Sequence, residues 1–161
     1  MTIRTATKND LDQIAAVEAE CFPAQEAASK KEFAERLQSY ANHFYLMFDD
    51  DKLIAFVDGL ATDQADLTDE MYVNASIHNE NGAWQMIFGV NTLPEYRRHG
   101  YAEELIHRVI DDAKNHGRKG LVLTCKDKLI HYYAKFGFVD EGVSTKSTHG
   151  NVVWHQMRLS F

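Results

Sequence analysis

The stretch Pro94-Glu95-Tyr96-Arg97-Arg98-His99-Gly100-Tyr101-Ala102 gathers two arginines and a histidine beside a glycine, just ahead of a segment that reads as a helix. Those residue types in that order suit an anion. A helix amino terminus offers unpaired N–H groups and the positive end of its dipole, and a glycine lets the main chain approach phosphate oxygens unobstructed. The spacing R-x-x-G-x-A, here Arg97, Gly100 and Ala102, is short and also fits a loop glycine between solvated arginines. A second cluster, Tyr132-Tyr133-Ala134-Lys135-Phe136-Gly137-Phe138, ends a predicted helix at Gly137 and opens a strand. By pattern alone its Tyr133 reads as a core aromatic whose hydroxyl finds a partner at the edge. Glu103, His107 and Asp111 share the i, i+4 spacing of metal ligands, but no fourth ligand accompanies them and an exposed helix face explains them, so no metal is expected. Cys125 lies at the end of a buried strand with no activating histidine, which is the setting of an inert thiol.

The elements that must position these residues are readable in outline. Ile3 and Arg4 open a short strand. Thr7 with Asp10, and Ser29 with Glu32, stand at capping-box spacing, predicting one helix over 10–21 and another through Phe33 and Leu37. Phe22-Pro23 ends the first of them. The apolar runs 44–48 and 53–60 flank Asp49, Asp50 and Asp51 as a hairpin would. Residues 61–82 are polar and poorly periodic, which predicts a long loop and a candidate rim for an acceptor site. The run 84–92 is apolar and broken by Gly89, as in a buried central strand with a bulge or a close ligand approach. A helix over 100–116, a strand over 121–125, a helix over 128–136 and a closing pair, 138–143 with 152–159, complete a mixed α and β order around one sheet.

Composition narrows the function classes. At 161 residues and 45% hydrophobic, with only two prolines, the chain reads as a single folded domain over 1–161. Residues 1–12 are charged and lack an apolar core, so neither a secretory signal nor a membrane anchor is expected there. The two cysteines are far apart in sequence, which suggests no disulfide framework and a reducing, cytoplasmic setting. A net charge of -7 argues against a nucleic-acid partner. Arg97, Arg98 and His99 form the local exception, an island sized for one phosphate or pyrophosphate.

Taken in order, strand, PEYRRHGYA, helix, strand, helix ending YYAKFGF, the chain resembles the GNAT superfamily of N-acetyltransferases. The phosphate loop of that family has the form Q/R-x-x-G-x-G/A, matched by Arg97, Gly100 and Ala102, and its later helix ends Y-x-x-x-G-F, matched by Tyr133, Gly137 and Phe138. The opening from Ile3 to Leu11 is also similar to its first strand and helix. Within the superfamily, Cys125-Lys126-Asp127, the YAKFGF run and Cys21-Phe22-Pro23 are similar to arylalkylamine (serotonin) N-acetyltransferases and their relatives. Met86 and Phe88 stand where the vertebrate enzymes carry two histidines.

The resemblance implies an α/β (α+β) fold, a mixed and mostly antiparallel sheet flanked by helices, with a splayed opening between the fourth and fifth strands. Pantetheine amides would pair with main chain near Val90 and Thr92, and the pyrophosphate would lie on Arg97, Arg98, His99, Gly100, Tyr101 and Ala102. The implied activity is transfer of acetyl from acetyl-CoA to a primary amine by direct attack in a ternary complex, with no acyl-enzyme and no metal. An alkylamine of pKa roughly 10.4 must lose a proton, and a departing thiolate of pKa roughly 8.5 benefits from gaining one. Tyr133 is the expected acid, and Glu26 or a water chain the expected base. The alternative is a sensor that binds coenzyme A or an acetylated ligand without turnover, and a third reading keeps only the fold as a scaffold. The expected partner is a small-molecule amine, with no nucleic acid and no membrane, and a homodimer stays open.

Overall fold

Thr7 and Ser29 each close a helix start in the way their spacing predicts. The Asp10 carboxylate accepts from the Thr7 N–H at 2.8 Å, and the Glu32 carboxylate accepts from the Ser29 N–H at 2.8 Å. The first box caps a 3-10 turn, Lys8–Asp10, which runs into α1 (Leu11–Cys21), and the second caps α2 (Lys30–Tyr40). These belong to a computed structural model that describes every residue from Met1 to Phe161. Its contacts fall into two units, Met1–Gly59 with Gly89–Val109, and Leu60–Phe88 with Ile110–Phe161.

In the first unit, β1 (Thr2–Thr5), β2 (Phe44–Asp49), β3 (Lys52–Asp58) and β6 (Gly89–Thr92) form an antiparallel sheet in the order β1-β2-β3-β6. The turn between β2 and β3 is carried by Asp50 at φ 52, a conformation that a short acidic side chain tolerates. Leu53 to Phe56 and Phe44 to Met47 are buried on both faces, which explains why these runs read as continuous rather than alternating. The core is aromatic: Phe33 on α2 meets Phe44 and Phe56 edge-on at 6.1 and 6.0 Å, and Tyr40 stacks on Phe44 at 6.0 Å. Arg4 ties the edge of the sheet to the start of α1 by two 2.8 Å bonds to Asp10, with its guanidinium over the Phe48 ring.

In the second unit, β4 (Ala61–Thr62), β5 (Trp84–Ile87), β7 (Gly120–Cys125), β8 (Val139–Val143) and β9 (His155–Ser160) form a sheet in the order β4-β5-β7-β9-β8. Its β5 and β7 run parallel. The segment 61–82, expected as loop, carries β4 and a short helix, α3 (Asp69–Val73). Five residues are too few for a helical period to show in sequence. Distant residues hold the segment instead: Asp69 accepts from the Thr148 backbone N–H at 3.0 Å, and the Arg158 side chain reaches Asp66 at 2.8 Å and the Ala65 carbonyl at 2.7 Å. The predicted 128–136 helix is also shorter, a 3-10 turn at Asp127–Leu129 and then α5 (Ile130–Ala134).

The expectation of one sheet needs correction. The run 84–92 is not one strand, because its first half pairs with β4 and β7 while Gly89–Thr92 pairs with β3. The change of partners falls at Phe88 and leaves two sheets, of four and five strands. From there the chain turns through Pro94–Tyr96 into α4 (Tyr101–Asn115), whose Leu105, Ile106, Val109 and Ile110 are buried and which stops before Gly117 at φ +71.

One glycine of the second sheet has no room for a side chain. A Cβ at Gly120 would run into the Leu159 carbonyl oxygen and come within 3.0 Å of the Trp84 ring. Gly120→Ala is therefore expected to lose about 1–3 kcal/mol of stability. A thermal melt of the variant that superimposes on the parent would contradict this.

Candidate functional site

β6 is the edge of its sheet, with β3 as its single partner. The Leu93 N–H donates to the Ile54 carbonyl at 2.9 Å, so the antiparallel alternation turns the backbone groups of Asn91 and Gly89 toward β3 and those of Val90 and Thr92 outward. An outward row of this kind can take an extended chain that carries amides. The Thr92 carbonyl is already engaged by Arg97 Nε at 2.9 Å and by the Cys21 thiol at 3.4 Å. Its N–H and both groups of Val90 are what the edge offers.

The loop after β6 is built for close approach from outside. Arg97 is pinned to the end of the strand through Nε, Arg98 sits at φ 67 and Gly100 at φ +79, so the chain bends twice through the left-handed region before α4 begins. The Gly100 carbonyl accepts the first helical bond, from Glu104 N–H at 3.1 Å, so the N–H groups of Tyr101 and Ala102 precede the helical ladder and point out of the helix start. His99 Nδ1 lies 2.8 Å from the Arg97 carbonyl and 3.2 Å from that of Tyr96. Two carbonyls on one nitrogen require that nitrogen to carry the proton, and the ring stacks on Tyr101 at 5.4 Å. Nothing lies within 4 Å of the place a Gly100 Cβ would take. Arg97, Arg98, His99, Gly100, Tyr101 and Ala102 thus come together at one helix start, whose positive end suits an anion.

The expected acid and base are placed differently. Tyr133 belongs to the second unit, where its ring packs edge-on against Tyr132 at 5.1 Å and Phe138 at 6.2 Å. Burial, with Tyr132 and Cys125 adding to it, pushes its phenol above the usual range and keeps it protonated at neutral pH. Glu26 is half-buried in a turn closed by its own N–H on the Pro23 carbonyl at 2.9 Å. Cys125 is buried against Met157, and burial followed by Asp140 and Asp127 raises its thiol to about 11, which leaves little thiolate at neutral pH. On α4, His107 and Asp111 are exposed and Glu103 is half-buried.

Sequence reasoning missed a buried polar cluster in the first unit. Glu18 on α1, Arg36 on α2, Asp58 at the end of β3 and Asn91 on β6 are all at most 6% exposed. Arg36 Nη1 and Asp58 Oδ2 form an ion pair at 3.0 Å; burial pushes the Asp58 carboxyl up and the guanidinium pulls it back. Glu18 Oε2 accepts from the Ala28 N–H at 2.9 Å. Burial first, and the Asp58 charge second, raise the Glu18 carboxyl to about 7. The Ala28 N–H, the Arg36 charge and the Asn91 side chain pull it back only in part. The signals were present but ambiguous: Glu18 follows Ile14 by four residues on the apolar face of α1, and Asp58 interrupts an apolar run.

Two outcomes follow. Gly100→Val forces a β-branched residue into the left-handed region and sets methyls in front of the open N–H groups, so coenzyme A affinity should fall at least tenfold while the melt stays near the parent's. Unchanged calorimetric affinity would contradict the assignment of the loop. The raised Glu18 carboxyl means that the folded state holds its proton more tightly than the unfolded chain does. The proton's contribution to stability is therefore full below the ordinary value of 4.5 and is lost as pH rises to about 7. Glu18→Gln should grow more stable relative to the parent across that window, by up to roughly 3 kcal/mol. A stability difference that is constant from pH 4.5 to 7.5 would contradict it.

Comparison with known proteins agrees with the geometry. No curated protein sequence matches the chain. The fold is shared with the GphF GNAT-like decarboxylase, solved with isobutyryl-CoA, at TM-score 0.83 and 18% identity, covering 99% of each chain. It is shared with the loading GNATL domain of CurA from Lyngbya majuscula at TM-score 0.84 and 16% identity, covering 99% of this chain and 96% of that one. It is also shared with the ribosomal-protein-S18-alanine N-acetyltransferase from Escherichia coli at TM-score 0.72 and 18% identity, covering 99% and 92%. Residues 11–138 match the acetyltransferase (GNAT) family, and the chain belongs to that family.

Proposed function

We propose that this chain transfers acetyl from acetyl-CoA to a primary amine by direct attack in a ternary complex. The single observation that carries the reading is the continuity of an outward strand edge at Val90 and Thr92 with a left-handed loop and helix start at 97–102. When bound, acetyl-CoA supplies a thioester carbonyl. Val90 and the Thr92 N–H orient the pantetheine arm, and Arg97, Arg98, His99 and the backbone of Gly100, Tyr101 and Ala102 hold the pyrophosphate. Tyr133 donates the proton that the departing sulfur takes, since its phenol stays protonated at neutral pH. A phenol so raised is a weak acid, so its effect must come from position. Glu26 is the base that the sequence pattern offers, and water the route beside it. No metal takes part.

The likeness of Cys125-Lys126-Asp127 and the YAKFGF run to arylalkylamine acetyltransferases supports an amine acceptor. A cytoplasmic setting, with no nucleic-acid or membrane partner, belongs to the same reading; no helix of the chain is long and apolar enough to cross a membrane. The GphF GNAT-like decarboxylase, which shares the fold, supplies the rival chemistry, a decarboxylation.

The test is turnover of acetyl-CoA with arylalkylamines, polyamines and amino-terminal peptides, read as free thiol and acetylated product. Acetylation of amines alone is expected. Acetylation of hydroxyl acceptors only, or carbon dioxide release with no transfer, would overturn the reading, and binding without turnover would make the chain a sensor. Tyr133→Phe keeps the ring and should lower kcat roughly 100 to 10,000-fold while coenzyme A affinity and melting temperature hold. Full activity in that variant would remove Tyr133 from the mechanism.

A further inference from the structure

Four polar atoms in the first unit are shut off from solvent without a hydrogen-bond partner in the chain: Glu18 Oε1, Asp58 Oδ1, and both Nδ2 and Oδ1 of Asn91. Buried polar atoms are almost always satisfied, and where the chain supplies no partner the ordinary one is a bound water. Three of the four converge on Gly89. A Cβ there would lie 3.0 Å from Asn91 Nδ2 and 3.4 Å from both Asp58 Oδ1 and Glu18 Oε1, so any side chain at this position would crowd the cluster. Gly89 is also the residue before Val90, whose outward backbone the proposed reading assigns to the pantetheine arm. An unsatisfied carboxylate oxygen is thereby aimed at the strand along which the thioester would lie.

We infer that Glu18 accepts the proton that the attacking amine gives up, taking it through a water that Glu18 Oε1, Asp58 Oδ1 and Asn91 would hold beside Gly89. The inference rests on the proposed amine acetylation. The step balances: the amine N–H proton passes to the water, a proton of that water passes to Oε1, and Glu18 ends as a neutral acid that solvent later deprotonates. Two carboxylates face one guanidinium here, so Arg36 compensates Asp58 at 3.0 Å and Glu18 is the group free to change charge. The other groups facing it are Cys21 on its own helix, Asn91 on β6 and the Ala28 N–H, with Tyr40 on α2 beside the ion pair. A carboxyl held at about 7 is matched to proton transfer near neutral pH.

The test has one arm that uses activity and one that does not. In the first, Glu18→Gln is compared with the parent on the best amine of the panel across pH 5.5 to 9.5. The expected result is a kcat/KM at least 100-fold lower at pH 7 with the acidic limb near 7 gone, and with calorimetric coenzyme A affinity unchanged. An intact limb with parental kcat/KM would overturn the proposal. In the second, the Glu18 carboxyl carbon is followed by 13C NMR against pH in the ligand-free chain, for the parent and for Gly89→Ala. The parent's Glu18 should titrate near 7, and the added methyl, by displacing the water, should raise that value by half a unit or more. Titration below 5, or a midpoint that Gly89→Ala leaves in place, would overturn the proposal even if Glu18→Gln fails to fold. If no amine is acetylated while the NMR result holds, the proposed function fails and the proton-holding site stands as described.

Discussion

An ion pair buried inside an aromatic core is the interaction on which the arrangement of the first unit depends. Arg36 reaches Asp58 at 3.0 Å from α2 to the end of β3, with Phe33 beneath the guanidinium at 5.1 Å. A buried pair adds little net stability over apolar residues of the same shape, yet removing one member leaves an uncompensated charge and costs about 3–5 kcal/mol. That asymmetry locks geometry. The end of β3 must lie where α2 can reach it, and β6, bonded to β3 through Gly89 to Thr92, is fixed in turn. The outward edge at Val90 and the loop that follows take their positions from this chain of constraints.

The same constraint explains why Glu18 is tolerated. A carboxylate in a core beside a second one is destabilising unless something compensates it. Here the guanidinium serves Asp58, the Ala28 N–H serves Glu18 Oε2, and the remaining strain appears as a carboxyl raised to about 7. The chain accepts an unsatisfied carboxylate close to the strand edge that coenzyme A would use. Structures tend to retain such local cost at functional positions.

Features decided within a few residues were legible in the sequence. Thr7 with Asp10 and Ser29 with Glu32 cap helices because the partners are three residues apart and need no tertiary information. Gly100 and Gly117 mark the start and stop of α4 because their left-handed φ values are local properties. The loop at 97–102 could be read for the same reason. The exchange of partners at Phe88 could not, since the run 84–92 is apolar on both sides of it and only β3 and β7, distant in sequence, distinguish the halves. The segment 61–82 was misread because its order comes from Thr148 and Arg158, roughly eighty to ninety residues away. Glu18, Arg36, Asp58 and Asn91 were passed over one by one, since each is an ordinary polar residue until four elements bring them together.

A chain of net charge -7 that nonetheless presents Arg97, Arg98 and His99 at one helix start spends its few clustered cations where a pyrophosphate would sit. Residues 11–138, which match the acetyltransferase family, include this helix start. The most direct measurement is backbone hydrogen exchange with and without acetyl-CoA. The account predicts added protection at the amides of Val90 and Thr92 and at residues 99–102, with β1 and β8 unchanged. Binding that leaves those amides exchanging at their free rates would contradict it.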